Sequence, residues 1–226
     1  MAKRPSTASK RTIRVLIVDD HPIVREGLSS LLSQQPDFEI CGEAEDVPTA
    51  LRLISQTRPH VVTIDISLKS GSGLDLIRRI NQSDRSVRMV ACSLYDETLY
   101  AERALQAGAL GYVNKHEATR TIVTAIRQVL DGKVYLSDRM SDRLAQRLIG
   151  GHGKKAVRPT VESLSDRELE IFELIGNGLT TPEIAKKLHL GVKTVETHRR
   201  RIKEKLDLAN TAQLARDAAQ WVLEHG

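Results

Sequence analysis

At 226 residues the chain is long enough for two domains, each with its own core. It holds no apolar run of bilayer-spanning length, and its basic start, MAKRPSTASKR, leads into no apolar segment of the kind a secretory signal has, so a soluble, cytoplasmic protein with no membrane partner is expected. The net charge of +5 is uneven: residues 1–11 and 132–160 are basic, 12–131 are net acidic, and 161–226 are close to neutral.

From residue 12 to 132, short runs rich in Val and Ile alternate with amphipathic segments. Ile13–Val18, Phe38–Ala44, His60–Ile64, Val87–Cys92 and Leu110–Asn114 have the composition of strands covered on both faces. Cys41 and Cys92 fall within them and read as small core hydrophobes. PIVREGLSSLL opens with Pro22, suited to a first helical turn. PTALRLISQ, GLDLIRRIN, ETLYAERALQAG and ATRTIVTAIRQVLDG follow the later strands, the last two closing on Gly108 and Gly132. Five such units predict a five-stranded, doubly wound parallel α/β sheet of flavodoxin-like type.

Residues 133–160 read as a linker, with one short helix in SDRMSDRLAQRLI and a break at GGHGKK. From 161 to 226 the pattern is wholly helical. Ser165 with Glu168 three residues on makes a capping box, and four short segments with tight turns predict a small all-α bundle of helix-turn-helix type. Residues 1–11 stand apart as a basic extension.

Five polar residues coincide with strand ends: the pair Asp19 and Asp20, then Asp65, Ser93 and Lys115. A parallel sheet binds ligands outside the carboxyl ends of its strands, so these residues converge at one rim. Three carboxylates there form an oxygen-rich site suited to a hard divalent cation, Mg2+. A hydroxyl and an ammonium beside them suit a phosphoryl group, whose charge a metal and a lysine would neutralise. His21, next to the acidic pair, reads as a helix-start residue rather than a catalyst.

The segments VLIVDDHPIVREGL, VVTIDISLKSGSGLDLIRRI, VACSLYDE and GYVNK resemble, in order, the receiver domains of bacterial response regulators. The resemblance implies that Asp65 is the phosphoacceptor, that Asp20 binds Mg2+ directly and Asp19 mainly through water, and that the Ser67 backbone carbonyl completes the protein ligands. It makes Ser93 the switch hydroxyl, Tyr112 the switch aromatic and Lys115 the phosphate-binding lysine. Lys69 departs from the pattern, standing where receivers usually have proline.

At the other end, positive charge gathers in Lys193, Arg199, Arg200, Arg201, Lys203 and Lys205. With about 100° per residue, Val195, Ile202 and Leu206 share a narrow apolar stripe, while Lys193, Thr197, Arg200 and Glu204 lie opposite and Glu196 and Arg201 flank it. Arginine can grip guanine at two points, glutamate can accept from cytosine, and a threonine methyl can touch thymine. LSDRELEIFELIGNGLTTPEIAKKLHLGVKTVETHRRRIKEKL resembles the LuxR-type helix-turn-helix. The two resemblances together point to a NarL/FixJ-type response regulator. This implies that Val192–Leu206 is the recognition helix, that Glu196, Thr197 and Arg200 read bases, and that Lys193, Thr194 and His198 contact the DNA backbone, with Arg201 beside them. It implies a last helix, with Leu214, Ala218, Trp221 and Val222 at helical spacing, that takes part in a dimer contact; core packing is the equal alternative. The expected partners are double-stranded DNA, a sensor histidine kinase and, when active, a second copy of the chain. The expected chemistry is self-phosphorylation rather than enzyme turnover. The rival reading is a constitutive DNA-binding regulator with a degenerate receiver.

Overall fold

The computed structural model describes residues 12–68, 71–94, 97–149 and 160–225. The basic extension, Lys69 and the GGHGKK break lie outside the described residues. The first half alternates strictly: β1 (Ile13–Val18), α1 (Pro22–Ser33), β2 (Phe38–Ala44), α2 (Val47–Thr57), β3 (Val61–Ile64), α3 (Gly73–Ser83), β4 (Arg88–Ser93), α4 (Glu97–Ala107), β5 (Gly111–Asn114) and α5 (Ala118–Leu130). The strands form one parallel sheet in the order β2-β1-β3-β4-β5, as the repeated strand–helix pattern predicts.

Because successive strand residues face opposite ways, the sheet feeds two cores. Val15, Ile17, Val61, Val90 and Val113 pack with Leu28 and Leu32 of α1 and Ile122 and Ile126 of α5. Leu16, Val18, Val62, Ile64, Met89 and Ala91 pack on the other face with residues of α2, α3 and α4. This second core runs on without a break into the C-terminal helices. Strands β3, β4 and β5 each begin one residue later than the sequence suggests. Strand β4 also takes in Ser93, because Ser93 pairs with Asn114.

After β5 comes α5, then α6 (Asp138–Ile149), whose Met140 is buried. A short 3-10 turn at Val161–Ser163 leads to α7 (Asp166–Gly176), α8 (Thr181–Lys187), α9 (Val192–Lys205) and α10 (Thr211–His225). Helix α7 begins with the expected capping box: the Ser165 hydroxyl accepts from the Glu168 amide, and Glu168 accepts from the Ser165 amide at 2.8 Å. Helix α10 crosses α7 so closely that a Cβ on Gly176 would meet the Ala218 carbonyl at 2.4 Å, which is why glycine stands there.

Candidate functional site

The parallel ladder continues one step past the strands. The Asp65 amide donates to the Val18 carbonyl at 2.8 Å, and the Lys115 amide donates to the Ser93 carbonyl at 2.9 Å. These two bonds bring Asp65 beside Asp19 and Lys115 beside Ser93. All five predicted residues therefore meet at one rim. Asp19, Asp65 and Ser93 are buried, and Asp20 is nearly so.

Lys115 closes the pocket. Its Nζ lies 2.6 Å from Asp19 Oδ2 and 2.7 Å from Asp65 Oδ2, so one ammonium spans two buried carboxylates. Burial works against its charge, but Asp65 and Asp19 more than offset this, and its pKa is raised. Asp65 is pushed up to about 7, chiefly by burial; Lys115 opposes the shift and Asp19 adds to it. The other Asp65 oxygen accepts from the Ser67 amide at 3.2 Å. This contact places Ser67 next to the phosphoacceptor candidate.

Asp19, Asp20, His21 and Asp65 each present a ligand atom, all within 4.8 Å of one another. Asp20 Oδ1 is buried without a hydrogen bond. His21 Nδ1 lies 2.7 Å from that oxygen, and three carboxylates gathered round one point repel one another unless a cation meets them, so the donor set fits the divalent ion expected from the sequence. Tyr112 is buried and its hydroxyl is hydrogen-bonded to Ser93, with burial pushing its pKa well up. Cys92, beneath the site, is an inert thiol raised to about 12 by burial.

Two supports were not read from the sequence. Gly73 opens α3 against the backbone of Asp65, where a Cβ would lie 2.0 Å from the Asp65 carbonyl oxygen. Arg25 reaches back from α1 to donate to the Asp19 carbonyl at 2.6 Å. Gly73 looked like an ordinary helix start, and only the sheet geometry exposes its role.

On α9, Val195 and Ile202 are fully buried, and Leu206 packs against the same core. Lys193, Thr194, Glu196, Arg200 and Arg201 are exposed, while Thr197 and His198 are half-buried. The His198 Nδ1 atom is buried without a hydrogen-bond partner, and burial lowers the ring's pKa. The basic stripe is narrower than the sequence suggested. Lys205 turns away to bind Glu168 at 2.6 Å, and Arg199 is partly buried. On α10, Leu214 and Ala218 are fully buried against the bundle, so they are core residues and not a dimer surface. Trp221 sets its edge on Phe172, with ring centroids 6.0 Å apart, and Leu223 is 82% exposed.

Helix α4 and its neighbour α3 reach α7, the turn before it and the segment leading into α6. Asp166 accepts from Arg103 of α4 at 2.7 Å and also pairs with Arg78 of α3. Arg103 donates in addition to the Leu164 carbonyl at 2.8 Å. The Tyr100 hydroxyl of α4 donates to Glu173 of α7 at 3.0 Å, both residues being buried. At the start of α4, Glu97 accepts from the Ser137 amide at 3.0 Å and also pairs with its hydroxyl. No sequence signal marks these pairs, which join residues 40 to 88 apart.

The sheet with its acidic rim and lysine, followed by a helix-turn-helix bundle, defines a receiver-type domain joined to a DNA reader. Residues 15–127 match the response regulator receiver domain, and residues 162–218 match the bacterial regulatory proteins of the luxR family. The oxygen regulatory protein NreC of Staphylococcus carnosus strain TM300 is 34% identical over 205 residues, spanning 89% of this chain and 94% of its own. The transcriptional regulatory protein LiaR of Bacillus subtilis strain 168 is 36% identical over 205 residues, spanning 90% and 95%. A solved structure of RcsB from Salmonella enterica serovar Typhimurium, bound to a promoter in the presence of the phosphomimetic BeF3-, is similar with a TM-score of 0.65 at 26% identity, over 93% of this chain and 100% of that one. The chain belongs to the two-component response regulators of the NarL/FixJ family, DNA-binding transcription regulators that join a receiver domain to a LuxR-type helix-turn-helix. Among the described residues, no helix is long and apolar enough to cross a membrane.

Proposed function

We propose that the protein is switched by Mg2+-dependent phosphorylation of Asp65, with a sensor histidine kinase as donor, and that the phosphorylated form binds double-stranded DNA in the cytoplasm as a homodimer. The observation that carries this reading is the Lys115 ammonium spanning Asp19 and Asp65, with the Ser93 hydroxyl on the next strand end. Asp19, Asp20, Asp65 and the Ser67 carbonyl would hold the metal ion. When bound, that ion supplies charge neutralisation and alignment for phosphoryl transfer. An Asp65 carboxylate oxygen attacks the phosphorus of the donor's phosphohistidine, forming a P–O bond as the P–N bond breaks and the histidine leaves, so Asp65 must be ionised first; the Lys115 ammonium favours that form. Lys115 then holds the phosphoryl oxygens, and Ser93 donates a hydrogen bond to them. The chain promotes its own phosphorylation and turns over no other substrate.

Incubation of the full-length protein with Mg2+ and acetyl phosphate, followed by intact mass measurement, tests the reading. A single phosphoryl adduct is expected in the wild type and none in Asp65→Asn. A folded wild type that takes up no phosphoryl group would instead favour a regulator whose receiver works without phosphorylation.

A further inference from the structure

We infer that Arg25 is a positioning residue for the metal-binding pair: by gripping the Asp19 carbonyl it fixes the peptide that joins Asp19 to Asp20, and so sets the pocket's affinity for Mg2+. The inference rests on the Mg2+ reading proposed above and gives a role to a side chain outside the set of direct ligands.

Asp19 is 1% exposed, and each of its polar atoms is held. Its amide donates to the Ala44 carbonyl at 3.0 Å, Oδ1 accepts from the His21 amide at 2.9 Å, and Oδ2 meets the Lys115 ammonium at 2.6 Å. The carbonyl oxygen accepts from Arg25 Nη1 at 2.6 Å, and no other donor reaches it among the described residues. Asp20 is tied less firmly: its carboxylate pairs with the exposed His21 ring at 2.7 Å and otherwise follows the peptide from which it hangs. That peptide is planar, so whatever orients the Asp19 carbonyl also orients the start of Asp20. A buried carbonyl left without a donor is costly. Removal of the guanidinium would therefore turn the peptide toward a new partner and carry Asp20 out of line.

Local structure puts Arg25 in reach. It lies in the first turn of α1, where its amide donates to the His21 carbonyl at 3.1 Å, and helical side chains lean toward the helix N-terminus. The guanidinium thus extends back over the turn between β1 and α1. A second contact steadies it: Nε lies 3.8 Å from Glu43 Oε2 on β2, next to the Ala44 carbonyl that takes the Asp19 amide. The Arg25 side chain is only 17% exposed, so the grip is largely shielded from water. A guanidinium stays charged in proteins, so the grip does not titrate. Lys115 binds the carboxylates directly, whereas Arg25 acts one step behind them, on the backbone.

Calorimetric titration of the full-length protein with Mg2+ tests the role, in the wild type, Arg25→Met and Arg25→Lys. The two replacements have side chains of similar length, and only the second keeps a charge and a donor. Arg25→Met should weaken Mg2+ binding by about tenfold or more, the scale on which partners behind the direct ligands tune metal affinity. Arg25→Lys should recover part of that loss. Phosphorylation by acetyl phosphate should show the same split: Arg25→Met needs more Mg2+ to reach its half-maximal rate, while its rate at saturating Mg2+ stays near that of the wild type. A merely structural role would lower the unfolding midpoint and leave the Mg2+ affinity of the folded protein unchanged. Arg25→Gln, whose shorter side chain stops short of the carbonyl, repeats the test should Arg25→Met fail to fold. A folded loss variant with wild-type Mg2+ affinity, or equal losses for Arg25→Met and Arg25→Lys, overturns the role of Arg25 and leaves the metal pocket standing. Failure of the wild type to bind Mg2+ overturns both readings.

Discussion

At the scale of single residues, the phosphoacceptor candidate is a liability to the resting fold. Burial raises Asp65 from 3.8 to about 7, so without metal the folded state holds it protonated only below about pH 7, where the unfolded chain is already ionised. For a carboxyl with a raised folded pKa the sign is destabilising. Below the ordinary carboxylate range both states are protonated and nothing is lost. As pH climbs from about 4 to about 7 the unfolded chain ionises first and stability falls, and above that the deficit is constant. Each pKa unit corresponds to about 1.4 kcal/mol, so Asp65→Asn should stabilise the metal-free protein by a few kcal/mol at pH 8 and by almost nothing at pH 4. Urea unfolding of both proteins at the two pH values checks this; a gain independent of pH would rule out ionisation as its source. Gly73 acts on the same residue from the backbone. A methyl group there meets the Asp65 carbonyl oxygen at 2.0 Å, so Gly73→Ala must push α3 and the phosphoacceptor apart. A loss of about 1–3 kcal/mol is expected from such overpacking, together with slower uptake of phosphoryl from acetyl phosphate. An unchanged phosphorylation rate in a destabilised variant would show that α3 alone yields.

At the scale of elements, what was legible depended on periodicity. Strand ends carrying Asp19, Asp65, Ser93 and Lys115 stood out because polar residues interrupt apolar runs at a topologically defined edge. The Val195–Ile202 stripe stood out because a helix repeats every 3.6 residues. Side-chain partners across elements leave no such trace. Lys205 looked like part of a DNA-facing stripe, yet it binds the buried Glu168 at the start of α7. Leu214 and Ala218 had the spacing of either a core or an interface, and only the close crossing of α7 and α10 decides for the core. This difference separates two lysines on one helix. Lys193→Ala should lower the salt slope of DNA binding by about one while leaving stability nearly unchanged, as loss of one phosphate contact requires. Lys205→Ala should do the reverse, lowering the unfolding midpoint of the C-terminal bundle and sparing the slope. DNA titrations across several salt concentrations, paired with thermal unfolding, distinguish them. Equal slopes for wild type and Lys193→Ala would remove Lys193 from the DNA interface.

For the whole molecule, the consequential feature is that α4 serves two sites at once. It follows Ser93 closely in the chain, and its Arg103 and Tyr100 hold the first helix of the DNA-binding bundle through Asp166, the Leu164 carbonyl and Glu173. The exposed face of α9 is not covered by this docking. Any restraint therefore acts on where the bundle sits, not on the reading surface itself. A phosphoryl group can shift such an arrangement only by binding its alternatives unequally. If the docked form is the resting one, its ion pairs set how much of the population is free to pair with a second copy on DNA. Arg103→Ala and Asp166→Asn should then each raise the DNA affinity of the unphosphorylated protein. The double variant should fall short of the sum by about 1–2 kcal/mol, because the two residues share one contact. The gain on phosphorylation should shrink by the same factor that the resting affinity rises, since a population already released cannot be released again. DNA titrations of the four proteins, with and without acetyl phosphate and Mg2+, contain the whole comparison. If the variants bind DNA as weakly as the wild type while keeping the full response to phosphorylation, the Asp166 contact is packing alone, and control must run through the receiver's own dimer surface.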